Sequence, residues 1–180
     1  MKYPIYEQCV NSVKNALEVL EALHHRESIT DSAVQAIRLR RRTADIAMLG
    51  TFDELRHAFI TPIDREDLLR MRQVCEAVVY DAEEITIQLY SQNRSALPYG
   101  DNKLLLSVIH ECQLLQASLE RFSDFPRSDD VVCHLTDLIR QHRKSEEQFS
   151  TDQGVSALKN VSAACFSAAE TLLQILLKVE

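Results

Sequence analysis

Asp45 and Glu76 are two carboxylates that neighbouring helices could bring to one edge. Carboxylates sharing a buried edge repel each other unless a cation or a proton neutralises them, and oxygen ligands of that kind suit a hard metal ion. Arg41 falls on the apolar side of its segment. Its guanidinium could do the same neutralising work by pairing with Asp45 or Glu76. A fully solvated Glu76 would need no ion at all. Asp53, Glu54 and His57 lie within about one helical turn and have the chemistry of metal ligands, although exposed helix faces carry such residues routinely.

His110, Glu111 and Cys112 can each bind metal, but consecutive helical residues point in different directions. They are not the His-Glu-x-x-His of a metalloprotease. A di-iron site, which wants two Glu-x-x-His pairs and two further glutamates, is not expected. His142 occupies an apolar seam, where a hydrogen-bonded core histidine is the plainer reading. The isolated glycines Gly50, Gly100 and Gly154 cannot form a phosphate loop, and no serine or cysteine has a recognisable nucleophile elbow. Enzymatic activity therefore has little direct support.

Cys9, Cys75, Cys112, Cys133 and Cys165 sit among aliphatic residues without a Cys-x-x-Cys pair, so they read as core thiols of a reducing compartment. The formal net charge of -7 opposes nucleic-acid binding; the run Arg38, Arg40, Arg41, Arg42 is local and has no interleaved aromatics. No basic-apolar leader opens the chain, and no apolar run is expected to span a bilayer. A cytoplasmic protein is the expectation.

The elements that must position these groups follow from apolar spacing of three and four. The spacing predicts an all-α protein of six helices, as an up-and-down bundle or two three-helix units. The first helix runs from Pro4 to about Arg26. The second starts at a Thr30 or Asp31 cap and reaches about Ile60, with Val34, Ile37, Arg41, Ala44, Met48, Phe52, Leu55 and Phe59 on its stripe. Gly50 inside it costs about 1 kcal/mol relative to alanine, which a close helix contact would justify. Thr61-Pro62 is the clearest boundary, with Thr61 or Asp64 capping the third helix. A polar linker from Ser91 to Asn102 divides the chain into halves, 1–92 and 101–180, within a single domain. The fourth helix ends at Phe125-Pro126. The fifth runs from about Asp129 to Phe149 with a polar second half, and the sixth follows Gly154. The halves share architecture without residue-by-residue duplication.

The run Phe59-Ile60-Thr61-Pro62-Ile63-Asp64-Arg65-Glu66-Asp67 resembles the signature of the PhoU-related proteins, accessory or regulatory proteins of phosphate transport. Weaker similarity extends through the helical layout to Ala168-Ala169-Glu170-Thr171-Leu172. The resemblance implies a PhoU-like six-helix bundle, a phosphate transporter or signalling protein as partner, and a place at the inner membrane surface through that partner. It also implies acidic positions able to hold a divalent or ferric metal. Here Arg41 stands where an acid belongs, Asp45 and Glu76 remain, and Ala77 and Tyr80 replace further acids. Gln141, Ser145, Asn160 and Ala164 occupy the corresponding regions of the second half.

The reading is thus a non-enzymatic regulator acting by protein contact, with no cofactor expected and self-association open. The alternatives are a metal-binding bundle or metal-dependent enzyme, and a structural oligomer. For Thr61, Pro62, Asp64, Arg65, Glu66 and Asp67 the expected role is capping of the third helix, with partner docking as the alternative.

Overall fold

The computed structural model describes residues 4–57, 61, 63–94, 96–97, 102–122, 128–149 and 156–179. Among them are six helices and no strand: α1 (Pro4–His24), α2 (Asp31–His57), α3 (Arg65–Ser91), α4 (Asn102–Phe122), α5 (Ser128–Phe149) and α6 (Ser156–Val179). Phe59, Ile60 and Pro62 of the signature run, and Pro98 and Gly100 of the midpoint linker, lie outside the described residues.

Local chemistry sets the boundaries. Of the two cap candidates for α2, Thr30 is the one used: its hydroxyl accepts the backbone N–H of Ala33 at 3.2 Å. Asp64 is the N-cap residue of α3. Helices α1 and α3 end alike. Arg26 and Asn93 adopt φ values of 55° and 53°, and the next residues, Glu27 and Arg94, donate back to Ala22 and Leu89. This is the left-handed helix stop that satisfies otherwise orphaned carbonyls, and asparagine suits it better than arginine.

Four helices make the centre. α1 packs on α3 and α4, and α3 and α4 each pack on α6; α5 lies on α4 and α6, while α2 lies mainly on α3. Gln8 meets Arg72 and Ser12 meets Glu76, so α1 and α3 run parallel. Tyr6 lies beside Phe122, and His24 bonds Asn102, so α1 and α4 run antiparallel. Lys178 reaches Asp67, which sets α6 antiparallel to α3. One continuous apolar cluster draws on both halves of the chain.

The two halves share a register of burial that the residue types conceal. Leu68, Met71, Arg72, Cys75, Val78 and Ala82 of α3 are buried, and so are the α6 residues 90 positions on: Leu158, Val161, Ser162, Cys165, Ala168 and Leu172. At other offsets, 103 and 94 positions, Ile5, Tyr6 and Cys9 match Val108, Ile109 and Cys112, and Ile37 and Thr51 match Val131 and Ser145. The symmetry breaks at α2. It buries only Val34, Ile37 and Thr51, and Phe52, expected on its buried stripe, is 45% exposed. α5 by contrast seats Leu135, Leu138, His142, Ser145 and Phe149, so its polar second half is packed.

Contrary to the expectation that no apolar run could span a bilayer, α6 has the length and composition of a membrane-crossing helix; more than half of its most apolar stretch is buried here as bundle core. Its apolarity is what a central helix with neighbours on several sides requires.

Candidate functional site

Interior charge concentrates between α1, α2 and α3. Glu83 is buried and accepts Arg40 through both Nε and Nη2, the latter at 2.8 Å. Arg41 Nε donates to the same carboxylate at 3.0 Å. Arg41 also donates to Glu84 and to the Tyr80 carbonyl, and its guanidinium stacks 3.8 Å from the centre of the Tyr80 ring. Glu76 is shared by Arg40 at 2.7 Å, Arg72 at 2.8 Å and the Ser12 hydroxyl at 2.9 Å. Gln8 then links Arg72 to Thr51. Burial opposes ionisation of Glu76, but the hydrogen bonds and charges of Arg72 and Arg40 outweigh it and hold its carboxyl below the usual range. Burial likewise opposes the charge on Arg40, and Glu83 and Glu76 more than compensate.

The neutralising cation expected from sequence is therefore present, with different pairing. Arg41 meets Glu83 and Glu84 rather than Asp45 or Glu76, and Arg40 takes Glu76. Asp45 is exposed. His57 and Asp53 pair at 3.4 Å on the surface. Glu-x-x-His spacing does occur, at Glu21–His24 and Glu54–His57, so spacing alone does not argue against a di-iron set. In the fold His24 bonds Asn102, whereas His57 bonds back to Asp53 on its own helix. No group of three His, Cys, Asp or Glu side chains converges as a metal site among the described residues.

A second polar network lies in the other half. Glu111 is fully buried and accepts Ser145 and Ser162, each at 2.6 Å. His142 Nδ1 lies 2.8 Å from the Ser162 hydroxyl, and the ring stacks on Phe166. Burial pushes the Glu111 carboxyl up, against the two hydroxyl donors. Burial pushes His142 down, against Glu146 and Glu170. Here two carboxylate oxygens are matched by two hydroxyls and no guanidinium. Serine stands between the acid and the imidazole, so the histidine is not placed to take a proton from a serine oriented toward substrate. His110 is exposed while Glu111 and Cys112 point inward, as helical geometry requires. Glu111 falls in phase with Leu104, Val108 and Leu115, which is the sequence signal of its burial. Glu83 falls likewise in phase with Val79 and Thr86.

Four thiols occupy the centre in pairs. Cys112 and Cys165 are free thiols with sulfurs 3.4 Å apart, and the free Cys9 and Cys75 thiols are hydrogen-bonded neighbours. The Cys165 thiol is pushed up by that bond to Cys112 and by burial, which suits protonated core thiols. Cys133 is exposed, contrary to the expectation of a core thiol, because it stands on the outer face of α5. An apolar cleft of about 290 Å³ between α1, α2 and α3 is lined by Val19, Ala22, Ile29, Ile37 and Thr86 among others.

The signature run sits apart from both networks. Thr61, Asp64, Arg65 and Glu66 line an open depression of about 510 Å³. Asp64 takes the N-cap position without a side-chain capping bond. Asp67 ties this end of α3 to α6, holding Lys178 at 2.7 Å. Against known proteins, no protein-family model matches the chain, and no curated protein matches it.

Proposed function

We propose that the chain is a non-enzymatic accessory or regulatory protein of the PhoU-like kind, a six-helix up-and-down bundle acting by contact with a phosphate transporter or its signalling partner. The observation that carries this reading is the state of Asp64. It occupies the N-cap of α3 while its carboxylate makes no capping bond, and Arg65 and Glu66 are exposed beside it. Acids placed at a helix start and not consumed in capping it are available for a partner's basic groups. Docking therefore replaces capping as the preferred role of Asp64 and Glu66. The pairing of Glu76 and Glu83 with Arg40, Arg41 and Arg72 supports a regulator whose acids need no metal. In this reading the protein is cytoplasmic and reaches the inner membrane surface through its partner.

The test is copurification with the phosphate transporter from native cells, comparing the wild type with an Asp64→Asn/Glu66→Gln variant. Loss of association with an unchanged melting temperature is the expected result. Equal association by the variant overturns docking at this end. One equivalent of tightly bound metal in protein purified without chelator overturns the ion-pair substitution.

A further inference from the structure

The outer face of α2 carries an apolar row that no described residue covers. Leu39, Ile46 and Leu49 are 66%, 71% and 70% exposed. Their spacing of seven and three places them on one helical face; Arg42 lies on the same seam between Leu39 and Ile46, and Asp53 follows Leu49. Gly50 belongs to this face. A side chain there would meet nothing within 4 Å, so packing inside the chain does not explain a residue that weakens the helix. A second helix approaching closely would.

Comparison with α5 shows that this face is not a generic outer surface. The register that matches Ile37 with Val131 and Thr51 with Ser145 places Cys133, Arg140, Arg143 and Lys144 opposite Leu39, Ile46, Leu49 and Gly50. Where α5 presents charge to water, α2 presents leucine and isoleucine.

The geometry points to a second copy of this chain on the α2 face, with the two α2 helices antiparallel about a two-fold axis. In that arrangement Ile46 of each copy packs on Leu49 of the other. The same register sets Arg42 of each copy against Asp53 of the other, so the two central apolar layers are closed at both ends by opposite charges, and Leu39 lies one layer further out, beside Arg56 of the other copy. One surface thus supplies both halves of a self-complementary interface, as an isologous dimer requires. Gly50, beside the seam, leaves room for the backbones to draw together. This contact is separate from the acidic end of α3 and stands whether or not a transporter binds there.

Sedimentation equilibrium on the full chain tests it, with Arg42→Asp and Asp53→Arg made singly. Both positions are exposed, and circular dichroism checks that helix content is unchanged. The wild type is expected to be a dimer. Each single variant places like charges in two layers and raises the dissociation constant about 100-fold or more. An equimolar mixture of the two variants re-forms both opposite-charge layers and is expected to recover the two-chain mass. A wild type that stays monomeric at high micromolar concentration overturns the proposal and leaves the face to a different protein. Single variants that remain dimers, or a mixture that remains monomeric, also overturn it.

Discussion

Glu83 of α3 receives the guanidinium of Arg40 as a fork and that of Arg41 through a third bond, so one buried carboxylate fastens two consecutive residues of α2. Because α2 buries few apolar side chains, this carboxylate holds much of the helix in place. Glu83→Gln is expected to cost about 3 kcal/mol, the low end for breaking a buried pair, since both arginines keep some contact with water. Asp45→Asn, on the exposed face, should stay within about 0.5 kcal/mol. Urea unfolding of the two variants checks the contrast; equal losses would refute it.

Glu111 gives the fold a stability term that runs against the usual acid response. Its carboxyl is held above the ordinary range by burial, so the folded chain binds that proton more tightly than the unfolded chain. The contribution is therefore best at low pH and declines as pH rises from the ordinary glutamate value through the raised one. Glu76 acts oppositely: its stabilisation is complete above the ordinary glutamate value and is lost as pH falls through its lowered one. His142, held down, costs stability as pH falls below the ordinary histidine value. Glu111→Gln should remove only the first term. Its stability relative to the wild type is expected to improve steadily from mildly acid to neutral pH in urea titrations. A constant difference would mean that Glu111 does not titrate between the two states.

The thiols divide sharply by environment. Cys133 is exposed, and Cys9, Cys75, Cys112 and Cys165 are buried. A chromogenic disulfide reagent should react rapidly with one thiol per folded chain and with the other four only on unfolding. Loss of the fast phase in Cys133→Ser identifies the residue. More than one fast thiol would contradict the packed centre.

Gly50→Ala should stabilise the isolated chain by up to about 1 kcal/mol, because alanine favours the helix and the added methyl meets no neighbour. Thermal unfolding of dilute protein measures this. A destabilised variant would mean that Gly50 answers a constraint inside its own chain.

Apolar spacing alone located all six helices, and their ends agree within a few residues because Thr30, Asp64 and the polar breaks carry recognisable punctuation. The seam cysteines and His142 were legible in the same way. Spacing misled at Phe52, since a stripe in phase with Val34 and Ile37 says where a helix could be buried, not how far along it a neighbour extends. It also left the interior acids unread. Glu83 and Glu111 lie in phase with apolar neighbours, but their types draw the eye to solvent. The choice of Arg40 over Arg41 for Glu76 depends on the crossing of α2 over α3, which no local pattern records.

Sequence by itself determined that this chain is helical and where its helices begin and end, because those features arise from periods and caps a few residues long. Only the tertiary structure decided which acids meet which arginines, that α2 buries less of itself than its counterpart α5, and that one face of α2 is left exposed by the described residues. Those outcomes depend on which helices touch and in which direction they run. That information is spread over residues far apart in the chain and is set by packing all six helices at once.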